Sequence, residues 1–148
     1  MQDQIDKSIK RYDNGKPRLV EHKVNGFKQN PGEGEFAVIE YYDSGIKQNE
    51  QSWDLGRKHG ICRYYYPNGN KESETYWYHG MLHNVIGPAV CSYYNDGKPK
   101  AHSWWRNDNY YSDKGKPVYV EYDVNGNITK KFDFLYLIIL FVILKQRE

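Results

Sequence analysis

Histidine and cysteine are the residues of this 148-residue chain with the widest chemistry, and there are five and two of them. His79 and His83 are four apart, the spacing at which a helix presents two metal ligands on one face. Gly80 lies between them and no Glu occupies the intervening Gly80-Met81-Leu82, so the pair reads as part of a turn and not as a ligand set. His59 and His83 hold comparable places in Arg57-Lys58-His59-Gly60 and Gly80-Met81-Leu82-His83. Recurrence at one place favours a structural role, bonding turn backbone. His22 and His102 lie in strand-like runs with no third ligand in view. Cys62 and Cys91 fall one position out of phase in the repeat described below. A sheet would therefore point them to opposite faces, which argues against a disulfide or a shared metal and makes both small hydrophobes. There is no Gly-x-Ser-x-Gly, no Gly-Lys-Ser/Thr loop and no dinucleotide fingerprint. Gly32-Glu33-Gly34-Glu35 carries two carboxylates that would repel phosphate. Glu72 and Glu74 share a strand face in a polar, solvated segment. These residues assign no catalytic, cofactor or metal site, and the chain reads as a non-enzyme.

Aromatic contact chemistry is better represented. The chain holds 15 Tyr and 4 Trp, side chains that dominate interfaces because one group offers large apolar area and a polar handle. Trp104, Tyr76, Tyr110 and Tyr111 are the candidate interaction surface, with Trp104 foremost because it is out of phase with Trp105. Lys98, Lys100 and Lys114 flank it. Lys plus Arg is 21 and Asp plus Glu is 19. A net charge of +2 gives no global drive toward nucleic acid or an anionic membrane, so nucleic acid is set aside.

These side chains are carried by a repeat. Tyr12-Asp13-Asn14-Gly15, Tyr42-Asp43-Ser44-Gly45, Tyr66-Pro67-Asn68-Gly69 and Tyr94-Asn95-Asp96-Gly97 recur along the chain. A looser fifth copy, Tyr122-Asp123-Val124-Asn125-Gly126, has an extra turn residue. Successive glycines are 30, 24, 28 and 29 residues apart, a near-constant period. Eight residues after each come Lys23, Trp53, Trp77, Trp105 and Phe134. The units open with Phe36-Ala37-Val38, Gly60-Ile61-Cys62, Pro88-Ala89-Val90 and Lys116-Pro117-Val118. Asn-Gly, Asp-Gly and Ser-Gly pairs are hairpin turn formers, and the runs before them are rich in Tyr, Val and Ile. Ala37, Ile39 and Tyr41 alternate with Val38, Glu40 and Tyr42, a period of two. Gly26, Gly56 and Gly80 mark a second turn in each unit, which Asn107-Asp108-Asn109 replaces in the fourth. The expected fold is all-β: an elongated, single-layer antiparallel array of about five hairpins over residues 1–133. Tyr42, Tyr66, Tyr94, Gly45, Gly69, Gly97, Trp53, Trp77 and Trp105 are its structural columns. Open edges make self-association an expectation as well.

Leu82-His83-Asn84-Val85-Ile86-Gly87-Pro88-Ala89-Val90-Cys91-Ser92-Tyr93-Tyr94-Asn95-Asp96-Gly97-Lys98-Pro99-Lys100 resembles a MORN-type repeat. It is similar to the variant found in large families of giant DNA virus proteins. Tyr65-Tyr66-Pro67-Asn68-Gly69 and Arg57-Lys58-His59-Gly60 are similar to bacterial MORN-variant proteins, some labelled antitoxin-like. The resemblance spans about residues 5–134, with more variable spacing than a regular array. It implies a hairpin array, a viral or bacterial origin and a scaffolding role toward a protein partner. It also implies two alternatives, membrane association and neutralisation of a partner by occlusion.

Residues 134–148 depart from the repeat. Phe134 to Leu144 is an unbroken apolar run, bounded by Asp133 and by Lys145-Gln146-Arg147-Glu148. As a helix it rises only about 16 Å, against a hydrocarbon core of about 30 Å. It reads as a capping strand, a short membrane or partner anchor, or the remnant of a shifted reading frame. The polar N-terminus lacks a signal-peptide core, and two cysteines are too few for a secreted disulfide scaffold, so a cytoplasmic location is expected.

Overall fold

The structure, a computed structural model, describes residues 3–113 and 116–133. The tail from Phe134 onward lies outside the described residues, as do Lys114 and the fifth member of the aromatic column. The described chain is all-β, an open antiparallel sheet of hairpins that does not close into a barrel.

Five hairpins follow one another. β1 (Ile5–Arg11) pairs with β2 (Pro17–Val24), and β3 (Phe27–Lys28) folds back on β2. β4 (Val38–Tyr41) and β5 (Lys47–Asp54) form the second hairpin, β6 (Arg57–Tyr65) and β7 (Lys71–Tyr78) the third. β8 (Met81–Leu82) folds back on β7; β9 (Val90–Tyr93) and β10 (Pro99–Ser103) form the fourth. β11 (Trp105–Arg106) and β12 (Asn109–Tyr110) make a separate small ribbon, and β13 (Pro117–Tyr122) with β14 (Ile128–Asp133) is the fifth hairpin. Each hairpin pairs with the next, so sheet order follows chain order from β1 to β14.

Two turn classes alternate, and each has its own chemistry. In the five main turns the glycine N–H donates to the carbonyl three residues back: Gly15 to Tyr12, Gly45 to Tyr42, Gly69 to Tyr66, Gly97 to Tyr94, Gly126 to Asp123. Only the glycine takes a positive φ, between 80° and 95°. That is the three-residue loop closed by a left-handed glycine and a bulge. The fifth turn has no extra residue: Asp123 stands where the others have Tyr, and Tyr122 matches Tyr41, Tyr65 and Tyr93. The fifth opener accordingly falls one residue later, on Pro117-Val118-Tyr119. Val118 then matches Ala37 and Ala89, and all three are fully buried. The second turns are two-residue loops with both φ values positive: Asn25-Gly26, Leu55-Gly56, His79-Gly80 and Asn107-Asp108. Asn and Asp tolerate that region, which is how the last dispenses with glycine.

The uneven period has a geometric cause. After the first, third and fourth second turns a short strand leads into a loop, at residues 29–37 and 83–89 and from residue 111. After Leu55-Gly56 there is none, and β6 runs straight through. Gly60, at φ 92°, makes there the adjustment that a loop makes elsewhere.

The register assigns the faces. One row across the sheet reads Ile39, Glu50, Arg63, Glu74, Cys91, His102, Val120. The next, on the opposite face, reads Val38, Gln51, Cys62, Thr75, Val90, Ser103, Tyr119. Cys62 and Cys91 thus do point apart; both are buried free thiols whose pKa burial pushes up. Loops 29–37 and 83–89 border the first face, making clefts with Ile39 and Glu50 and with Tyr76 and Cys91. Among the described residues, buried apolar side chains are few and small, and the largest fully buried one is Val118. Side-chain columns therefore do the work of a core.

Candidate functional site

Three of those columns are structural. In the first, each turn tyrosine reaches the following unit: the hydroxyls of Tyr12, Tyr42, Tyr66 and Tyr94 donate to the carbonyls of Tyr41, Tyr65, Tyr93 and Tyr122, at 2.6–2.8 Å. In the second, the indole N–H groups of Trp53, Trp77 and Trp105 donate two residues back, to Gln51, Thr75 and Ser103. Lys28 and Lys58 lie over the rings of Trp53 and Trp77, both at 4.8 Å. The third joins successive second turns, with Gly56, Gly80 and Asp108 N–H donating to Lys28, Lys58 and Leu82 carbonyls. His59 and His83 sit on this edge and hold the next turn, His59 Nδ1 accepting from His79 N–H at 3.4 Å and His83 Nδ1 bonding Asn107 Oδ1 at 2.8 Å.

The centre of the first face carries a charge network. Glu50 and Glu74 are only 4 % and 8 % exposed. Arg63 bonds Glu74 at 3.0 Å and stands 3.9 Å from Glu50; Lys47 bonds Glu50 and Lys71 bonds Glu74. Tyr65 and Tyr76 donate to Glu50 and Glu74 at 2.7 and 2.9 Å. Glu74 is therefore buried, not solvated as its polar segment implies; Glu72 beside it is exposed. Burial opposes its charge, but bonds from Lys71, Arg63 and Tyr76 outweigh this and lower its pKa. Burial and the carboxylate each one bonds push Tyr65 and Tyr76 up to about 12. Every oxygen of the two carboxylates accepts at least one hydrogen bond, so the pair braces the sheet.

Of the candidate contact residues, Trp104 and Tyr111 come together. They line a cleft of about 110 Å³ with Asn84, Ile86, Arg106, Asp113 and Lys116. Tyr76 lines the adjoining cleft, which shares Asn84, Ile86 and Gly87. Tyr110 turns away and stacks on Trp105, ring centres 3.9 Å apart. Trp104 is fixed by its backbone, its N–H donating to Val118 and its carbonyl accepting from Tyr111. The Arg106 guanidinium carbon lies over Tyr111, 3.6 Å from the ring centre. Its Nε is shut from solvent and has no hydrogen-bond partner among the described residues. Asp113 does not supply one; it is held by Lys116 and Tyr111, whose bonds lower its pKa. At the lip, Val85 and Ile86 are 63 % and 95 % exposed. A guanidinium over a Tyr ring whose Nε has no hydrogen-bond partner among the described residues, beside a Trp and two bare aliphatics, suits a group that brings both a carboxylate and an apolar body.

The Val85-Ile86 pair was not marked by the repeat, because it lies in a loop that interrupts it, and Arg106 was not, because the residue after the column Trp does not recur: Asp54, Tyr78 and Arg106. The chain matches no family model, no curated protein and no solved structure.

Proposed function

We propose that this chain is a non-catalytic repeat scaffold that binds a protein partner through the cleft at its fourth and fifth units. The observation that carries this reading is the exposed Val85-Ile86 pair beside Trp104 and Arg106, whose Nε has no hydrogen-bond partner among the described residues. Exposed aliphatics of this kind, next to a rigid Trp and an Arg over a Tyr ring, have the composition of an interface hot spot. The resemblance of residues 82–100 to MORN-type repeats supports the same reading, and a cytoplasmic setting goes with it. The test is proximity crosslinking of the full chain against Ile86→Asp and Arg106→Gln, each checked for native circular dichroism. The expected result is one crosslinked partner that both variants lose. Retention of that partner by both folded variants rejects the cleft as the contact.

A second reading rests on Phe134 to Leu144, whose apolar run would anchor the array at a lipid surface. No helix among the described residues is long and apolar enough to cross a membrane. Liposome flotation of the full chain beside a chain ending at Asp133 separates the readings. Flotation of the full chain alone supports the anchor; no flotation of either removes it.

A further inference from the structure

We propose that Asp54, His59 and His79 form a binding site for a divalent transition metal, zinc being the reference ion, at the junction of the second and third units. One ligating atom from each lies within 4.8 Å of those of the other two. A tetrahedral zinc site with bonds of about 2.0–2.1 Å places its ligand atoms roughly 3.3 Å apart. Small side-chain rotations close that difference.

The three residues come from elements the fold already fixes. Asp54 ends β5 immediately before the Leu55-Gly56 turn, His59 lies in β6, and His79 is the first residue of the next two-residue turn. The two turns are tied by the Gly80 N–H bond to the Lys58 carbonyl at 2.8 Å. The ligands are therefore preorganised on rigid backbone, as a metal site requires. Their ligating atoms are also available. Among the described residues the Asp54 carboxylate and the His79 ring make no hydrogen bond or ion pair, and His59 makes only the 3.4 Å contact at Nδ1. The rings of His59 and His79 are 4.7 Å apart.

The same three places recur at the neighbouring junctions with different residues. The preceding junction has Val24, Gln29 and Leu55; the following one has Tyr78, His83 and Asn107. Only the middle junction carries two imidazoles and a carboxylate there. At the preceding junction Gln29 Oε1 accepts from Leu55 N–H at 2.7 Å, so the structural bond at this place does not need histidine. Two imidazoles and one carboxylate suit zinc and its neighbours in the transition series, and leave one tetrahedral position for water or a partner's side chain.

The experiment is a titration of the untagged full chain with Co²⁺, read by its visible absorption, followed by displacement with Zn²⁺. Saturable one-to-one binding is expected. His59→Gln keeps the turn bond in the manner of Gln29, so the metal-free chain should unfold at the same temperature as wild type. It should nevertheless lose affinity on the order of tenfold or more. Asp54→Asn and His79→Asn should lose as much, and His83→Gln should match wild type. Absence of saturable binding overturns the site. So does wild-type affinity in the folded His59→Gln and Asp54→Asn variants, or an equal loss in His83→Gln.

Discussion

The tyrosine hydroxyls that cross from one unit to the next recur at all four junctions between the five hairpins. Each ends on a part-buried backbone carbonyl. Deleting one hydroxyl removes a hydrogen bond and leaves that carbonyl short of a donor. Tyr66→Phe should therefore lower unfolding free energy by about 1 kcal/mol, measured by urea denaturation. Tyr42→Phe should cost the same, and the pair should add, because the two bonds lie at different junctions and contacts in such arrays are between neighbours. The tyrosine column was legible in the sequence as periodicity, but its target was not. The acceptor is the carbonyl of Tyr93, a backbone atom, and backbone atoms leave no mark on residue identity. Arg106 and Asp54 were missed for a related reason. Each has significance only through what lies across a junction: Tyr111 folded under the first, His79 brought to the second from 25 residues on.

Hairpins, by contrast, were legible almost completely. Their turns are made by local chemistry, so Gly45, Gly69 and Gly97 announce them without help from distant residues. The fifth was misread by one residue, because Tyr122 beside Asp123 imitates the Tyr that opens the other turns. The variable spacing looked like irregularity and is an insertion pattern: the first, third and fourth junctions carry a loop, the second a single glycine. Gly60 holds φ at 92°, and a Cβ there would stand 3.3 Å from the Ser52 Cβ. Gly60→Ala thus meets both a left-handed penalty and a close side-chain neighbour on the paired strand. A loss of about 2 kcal/mol is expected, again by urea denaturation. Gly80→Ala, with nothing within 4 Å of its Cβ, should lose less, since only the φ penalty remains.

An open sheet one layer thick has little interior to dry out, and its stability leans on polar contacts that respond to pH. Among the groups with shifted pKa, His22, His102 and Glu74 bear on this; burial, and then Lys7, lower the pKa of His22 below the ordinary 6.5. His102 is flanked on its face by Trp104 and Tyr122, with Cys91 and Val120 opposite in register. Burial lowers its pKa below the ordinary 6.5. The unfolded chain then binds more protons than the folded one as pH falls through 6.5, so stability falls with it. Glu74 contributes in the same direction at lower pH. Its lowered pKa means the stability it supplies is complete above the ordinary carboxylate value of 4.5 and is lost as pH falls through the folded value. Acid unfolding should therefore proceed in two stages, the first beginning near 6.5 and the second below 4.5. Thermal unfolding midpoints measured from pH 8 to 3 resolve them. His102→Gln should weaken the first stage, leaving only the share of His22, and should leave the second, because Gln at that place has no proton to take up, while the Arg63 and Lys71 bonds to Glu74 are untouched. A single transition unaffected by His102→Gln would show that the aromatic surround does not hold the imidazole neutral.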